Sequence, residues 1–75
     1  MKITIVESTI LRTVAYHCDR KLLQLEFHNG AVYQYFNVPA AFHDGLLEAP
    51  SKGTYFNHFI RDKFDYAQVK TASLS

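Results

Sequence analysis

The chain has 75 residues, 48% of them hydrophobic and 15% aromatic. That length holds one core and not two, and that composition excludes intrinsic disorder over most of the chain. Eight basic and seven acidic residues leave a net charge of +1, which neither requires nor excludes a nucleic-acid partner. The single cysteine, Cys18, excludes a disulfide framework and points to a reducing compartment.

No apolar run reaches the ~20 residues of a membrane span, so no membrane partner is expected. Met1 to Glu7 has no long apolar stretch behind its basic residue, so no signal peptide is read there and a cytoplasmic location is expected. Residues 1–69 read as a single domain, and 70–75 as a flexible tail of small polar residues around a lone Leu74.

In chain order, Ile3 to Glu7 reads as a short strand and Ile10 to Tyr16 as a longer one. A four-residue connection, His17-Cys18-Asp19-Arg20, sets Val14 against Leu23 and turns Tyr16 inward. Arg12 would then also face inward, an unfavourable place for a charge, and a bulge between Leu11 and Val14 would turn it out. From Lys21 to His28 the pattern alternates, with Leu23, Leu25 and Phe27 on one face and Gln24, Glu26 and His28 on the other. Asn29-Gly30 follows, then a second strand pattern from Ala31 to Val38. Asn-Gly between two such runs predicts a two-residue type I′ hairpin with positive φ at both residues. That register pairs His28 with Ala31, Phe27 with Val32, Leu25 with Gln34 and Leu23 with Phe36. Tyr33 and Tyr35 then stand side by side on the more polar face.

After Val38 the period changes. Pro39 suits a first helical turn, and Phe42, Leu46 and Leu47 follow at helical spacing up to Ala49. Gly45 weakens this helix, and Pro50 stops it. Ser51 caps a second helix over 52–62 with an apolar stripe of Tyr55, Phe56, Phe59 and Ile60. Phe64 to Val69 reads as a short extended segment. Strands first and helices after predict an α+β fold: a three-stranded antiparallel meander followed by two helices packed on one face of the sheet. The predicted core is Leu25, Phe27, Phe36, Phe56 and Phe59.

Chemistry-bearing residues are sparse. His17, Cys18, His28, His43 and His58 lack the spacing of a zinc site and read as scattered surface side chains. Ser51-Lys52-Gly53-Thr54 has the wrong order for a phosphate loop, although a capped helix start beside Lys52 can hold an anion. There is no nucleophile elbow, no alignable Ser/His/Asp set and no cofactor motif, so a non-catalytic protein without cofactor is expected. Tyr33-Gln34-Tyr35 is the remaining feature. Two tyrosines on an uncovered sheet face make a stacking platform for bases, with Lys52, Arg61, Lys63 and Lys70 available to neutralise phosphates. The plainer reading is that tyrosine is simply a good strand residue. A basic surround of the two tyrosines favours nucleic acid, and a neutral or acidic one favours protein.

Several blocks together resemble a known family. They are Leu23-x-Leu25-x-Phe27, Gly30-x-Val32-Tyr33-x-Tyr35-Phe36-x-Val38-Pro39, Leu46, Ala49, Ser51-Lys52-Gly53-x-Tyr55-Phe56-Asn57 and Ile60-Arg61. From about Ser8 to Val69 the chain resembles the KTSC domain, found at the C-terminus of some lysyl-tRNA synthetases and as free-standing small bacterial proteins. The resemblance implies a module of unknown function for which RNA binding has been proposed. Gln34 and Ala67-Gln68 stand where that family often carries basic residues, which lowers the positive charge here. The expected partner is RNA, whether tRNA or other structured or single-stranded RNA, contacted through Tyr33, Tyr35, Lys52, Arg61 and Lys63. The alternative is another protein, bound at an open sheet edge or on the tyrosine face.

Overall fold

The computed structural model describes residues 2–69. The predicted tail, 70–75, lies outside the described residues. Five strands form one antiparallel sheet in chain order: β1 (Lys2–Ile5), β2 (Leu11–His17), β3 (Leu22–Phe27), β4 (Val32–Tyr35) and β5 (Tyr66–Val69). Helix α1 (Ala40–Glu48) and helix α2 (Lys52–Tyr55) lie between β4 and β5, and α2 runs on into a π-helical turn, Phe56–Ile60. The α+β class is as expected, but the sheet has five strands and not three. The N-terminal and C-terminal segments each add an edge strand, so β3 remains central.

Short-range chemistry explains most element ends. Pro39 sits just outside α1, and its carbonyl accepts from the Phe42 N–H at 3.0 Å. The Ser51 hydroxyl accepts from the Thr54 N–H at 3.3 Å, the capping bond expected for α2. The predicted bulge in β2 is present, as a register shift between Leu11 and Thr13, and Arg12 is exposed. The β2–β3 register itself lies two residues from the expected one, with Val14 opposite Leu25 and Tyr16 opposite Leu23. A two-residue shift preserves the faces, so Tyr16 does point inward. The connection ends with Lys21 at φ 53°.

The β3–β4 hairpin differs in a way that matters more. Leu23 pairs with Tyr35, Gln24 with Gln34, Leu25 with Tyr33 and Glu26 with Val32. The turn has three residues, His28 to Gly30, and not two. The Gly30 N–H closes on the Phe27 carbonyl at 2.9 Å, and the Phe27 N–H bonds the Ala31 carbonyl at 2.9 Å. Gly30 has φ 92°, but Asn29 is not among the positive-φ residues. Instead the Asn29 side chain accepts from the Ala31 N–H at 2.9 Å. This is a turn closed by a left-handed glycine bulge, the next commonest hairpin after the two-residue loop. One extra turn residue slips the register by one, and a slip of one moves every β4 side chain to the opposite face.

Tyr33 and Tyr35 therefore share the inner face with Leu23, Leu25, Val14 and Tyr16, beneath the helices. That corrects their expected place on the polar face. The core joins Leu11, Val14, Tyr16, Leu23, Leu25, Tyr35, Val38, Leu46, Phe56 and Ile60, with Phe27 half-buried against it. The Tyr16 hydroxyl donates to the Val38 carbonyl at 2.6 Å, and the His43 ring of α1 stacks on Tyr16 at 4.8 Å.

Of the five predicted core residues Leu25 and Phe56 are buried, Phe27 is only half-buried, and Phe36 and Phe59 are exposed. Phe36 is 37% exposed because β4 ends at Tyr35, and Asn37, at φ 60°, turns the chain away from the sheet. Phe59 is 50% exposed. The π-helical turn fits five residues where an α-turn fits fewer, which rotates Phe59 off the stripe while Phe56 and Ile60 stay buried. Phe59 packs instead on Tyr55, with ring centroids 4.7 Å apart.

Candidate functional site

The register slip and the π-helical turn together build an open groove of about 450 Å³. Its sheet side comes from alternation along β4 and from β5 beside it. Tyr33 and Tyr35 lie two apart on one face, and β5 sets Tyr66 directly opposite Tyr35. The Tyr35 and Tyr66 rings are stacked at 5.4 Å, and Tyr33 lies 5.8 Å from Tyr66 at a tilt of 49°. Phe56 forms the floor, edge-on to Tyr35 at 5.7 Å and to Phe27 at 5.5 Å. Ile10, Asn29 and Ala31 close one end near the hairpin turn, and Asn57, Arg61 and Asp62 form the helical side.

The π-helical turn positions that helical side. Its closing bond runs from the Arg61 N–H to the Phe56 carbonyl at 2.8 Å, five residues back. Asn57 and Arg61 both line the groove as a result, with Arg61 Nη1 donating to Asn57 Oδ1 over a long 3.4 Å. Asp62, at φ 64°, then reverses the chain towards β5. Arg61 and Asp62 are the charged residues on the groove, so its rim is balanced and not basic.

Burial pushes the Tyr35 hydroxyl up to about 12, with the neighbouring Tyr66 and Tyr33 adding to the rise and Arg61 opposing it. Tyr35 therefore stays neutral at physiological pH and offers a hydroxyl that both donates and accepts. The groove can accept a flat or apolar group against its rings and hydrogen-bond it from the amide and charged rim.

Of the residues expected at a site, Tyr33, Tyr35 and Arg61 come together here. The expected platform of two uncovered rings does not: Tyr35 is 4% exposed, under Phe56, and Tyr33 is half-buried. Lys52 lies at the other end of the helical segment, its Nζ donating to the Ala49 carbonyl at 3.1 Å. Lys63 lines a separate shallow hollow of about 300 Å³ with Phe36, Asn37, Asp62, Phe64 and Asp65. Lys70 lies outside the described residues. Sequence reasoning missed Tyr66, Asn29, Asn57, Asp62 and the floor role of Phe56. The signal for Tyr66 is the extended pattern from Phe64 to Val69, which by itself does not specify a pairing strand. Among the described residues, no group of three or more His, Cys, Asp or Glu is placed to hold a metal ion, and no helix is long and apolar enough to cross a membrane.

A family model for the KTSC domain matches residues 7–64, most of the sheet, both helices and the π-helical turn. The chain belongs to the KTSC domain family. Its first and last strands, β1 and β5, lie outside the matched segment. A lysine–tRNA ligase of Nostoc punctiforme is 40% identical over 63 residues, which cover 84% of this chain and 11% of the ligase. The lysine–tRNA ligase of Trichormus variabilis is 41% identical over the same length and the same shares. This KTSC chain thus spans about a tenth of those enzymes. An uncharacterized protein of Stutzerimonas stutzeri is 38% identical over 61 residues, which cover 81% of this chain and 86% of that protein. The crystal structure of a KTSC domain protein from Yersinia pestis superposes with a TM-score of 0.88 at 29% identity, over 91% of this chain and 96% of that one.

Proposed function

We propose that this KTSC chain is a non-catalytic binding module that takes single-stranded RNA in the aromatic groove. The observation that carries this reading is the open groove in which the exposed Tyr66 ring and the half-buried Tyr33 ring, backed by the buried Tyr35 and Phe56, meet one guanidinium, Arg61. Bases stack on aromatic rings, and the stacking tolerates sequence because every base has a π-face. The relatives support an RNA setting, since the same module forms part of lysine–tRNA ligases. By the charge criterion the balanced rim favours a protein partner over a phosphate backbone, so the RNA reading rests on stacking and not on charge.

A second reading has its own observation. β5 is an edge strand with exposed side chains from Tyr66 to Gln68, and it borders the groove through Tyr66. A partner protein could add an extended segment to that edge and place a side chain in the groove. The two readings separate in a pull-down from a bacterial lysate with and without RNase, paired with anisotropy titrations of single-stranded and duplex RNA. RNase-sensitive capture with preference for single strands supports the RNA reading. RNase-resistant capture without RNA affinity refutes it and supports the protein reading.

A further inference from the structure

We propose that the groove is a slot for one unpaired ribonucleotide, its base on Tyr66 beside Tyr33, its phosphate at Arg61 and its ribose at Asp62. This rests on the RNA reading above and names the unit that is recognised. Size is the first argument. The cleft, at about 450 Å³, lies in the lower part of the ~300–1,000 Å³ range of sites that enclose one small ligand. Proteins that track single strands instead engage ~4–16 nucleotides per fold.

Ring exposure is the second argument. Tyr35 is committed to the core, but Tyr66, stacked on it, is 54% exposed and keeps ring surface free for a ligand. Phe56 beside it is buried and gives the groove an apolar floor. Charge is the third. One guanidinium can pair with one phosphate, and the adjacent carboxylate of Asp62 leaves no net positive charge for further phosphates. A carboxylate accepts hydrogen bonds and donates none, so Asp62 suits ribose hydroxyls or an exocyclic amine. Asn57 and Asn29 add amides that donate and accept, the pattern a base edge requires. The 3.4 Å bond from Arg61 to Asn57 is long enough that a ligand oxygen would displace it at little loss. The last argument is the π-helical turn, which contains two groove residues, Phe56 and Asn57, and is closed by the N–H of a third, Arg61. Such turns occur frequently at functional sites.

The test is competition on the purified chain. A labelled 12-nucleotide single-stranded RNA of mixed sequence is displaced by AMP, by di- and trinucleotides, by the unlabelled 12-mer, and by the deoxy forms of each. The slot predicts that dinucleotides already compete within a few-fold of the 12-mer per site, that deoxy forms compete less well, and that the salt slope is about −0.7, one phosphate's share. Tyr66→Ala should weaken binding about 5- to 140-fold, the loss of one base stack, while Tyr66→Phe should not. Asp62→Asn should narrow the difference between ribo and deoxy competitors, and Arg61→Gln should flatten the salt slope. If the 12-mer binds but mono- and dinucleotides fail to compete, or the slope reports several phosphates, the slot is wrong and the RNA reading survives. If no RNA binds, or capture from a lysate resists RNase, both fall together and the occupant is a protein.

Discussion

Phe56 is the residue on which fold and groove depend together, and replacing it with alanine tests both. Its ring is 6% exposed and meets Phe27 and Tyr35 edge-on at 5.5 and 5.7 Å. A buried Phe→Ala change costs about 3–5 kcal/mol. The two edge-to-face pairs supply ~0.5–1.5 kcal/mol each of that figure, and the rest comes from lost burial and the cavity left behind. At ~0.05–0.15 kcal/mol per residue, the whole domain holds only about 4–11 kcal/mol. Phe56→Ala therefore removes between a quarter of the stability and all of it. Urea unfolding followed by circular dichroism should show a large fall in midpoint with an unchanged slope, or an unfolded protein at 25 °C. Phe56→Leu keeps most of the apolar volume and loses the ring pairs, so it should fall between the variant and the parent. A Phe56→Ala protein destabilised by less than ~0.5 kcal/mol, the range of ordinary surface changes, would refute the packing described.

Helix propensity says that Gly45→Ala should stabilise α1 by ~1 kcal/mol, but packing says the reverse. A Cβ at Gly45 would collide with the Tyr55 hydroxyl and sit 2.8 Å from its Cζ, so we expect a net loss of about 1–2 kcal/mol in a thermal melt. A raised melting temperature would show that the Tyr55 ring yields. Gly30→Val should cost about 1–3 kcal/mol through backbone strain alone, since Gly30 has φ 92° and a Cβ there meets nothing within 4 Å. Gly30→Asn should be milder, and equal stability for Val and the parent would argue against the glycine bulge. Tyr35 sets a pH dependence. Its folded pKa, about 12, exceeds the ordinary 10.0, so the unfolded chain releases this proton first. That contribution to stability is fully present below pH 10 and is lost as pH rises through about 12. Burial raises Tyr16 too, which adds loss of the same sign. Urea midpoints from pH 8 to 11 should fall, and Tyr35→Phe should reduce that fall; an identical decline in the variant would count against the assignment to Tyr35.

Much of this protein is legible residue by residue. The alternation of Leu23, Leu25 and Phe27, the stop at Pro50 and the cap at Ser51 are local signals, and each element they announce is present. The bulge was legible as well, because Arg12 facing inward is unfavourable whatever else the chain does. These features depend on the period of the backbone and on side chains within a few positions, so sequence alone determines them. The quoted motif blocks lie mostly in the strands and helices that the KTSC model matches, which is why the family could be read along with them.

What the sequence did not determine was which face the tyrosines take. Asn29-Gly30 supports a two-residue turn with both residues left-handed, or a three-residue turn in which only Gly30 is, and local energies barely separate them. Burial separates them. The observed register buries Tyr35 between Leu23 and Phe56, and the alternative would bury Phe36 in its place. Phe59 shows the same limit on a helix: its spacing fits the apolar stripe, and one five-residue turn places it in solvent. The groove depends on both decisions and on β5 returning to pair with β4, contacts between residues thirty or more positions apart. Tertiary packing decides them, because it alone sums the burial of every element at once.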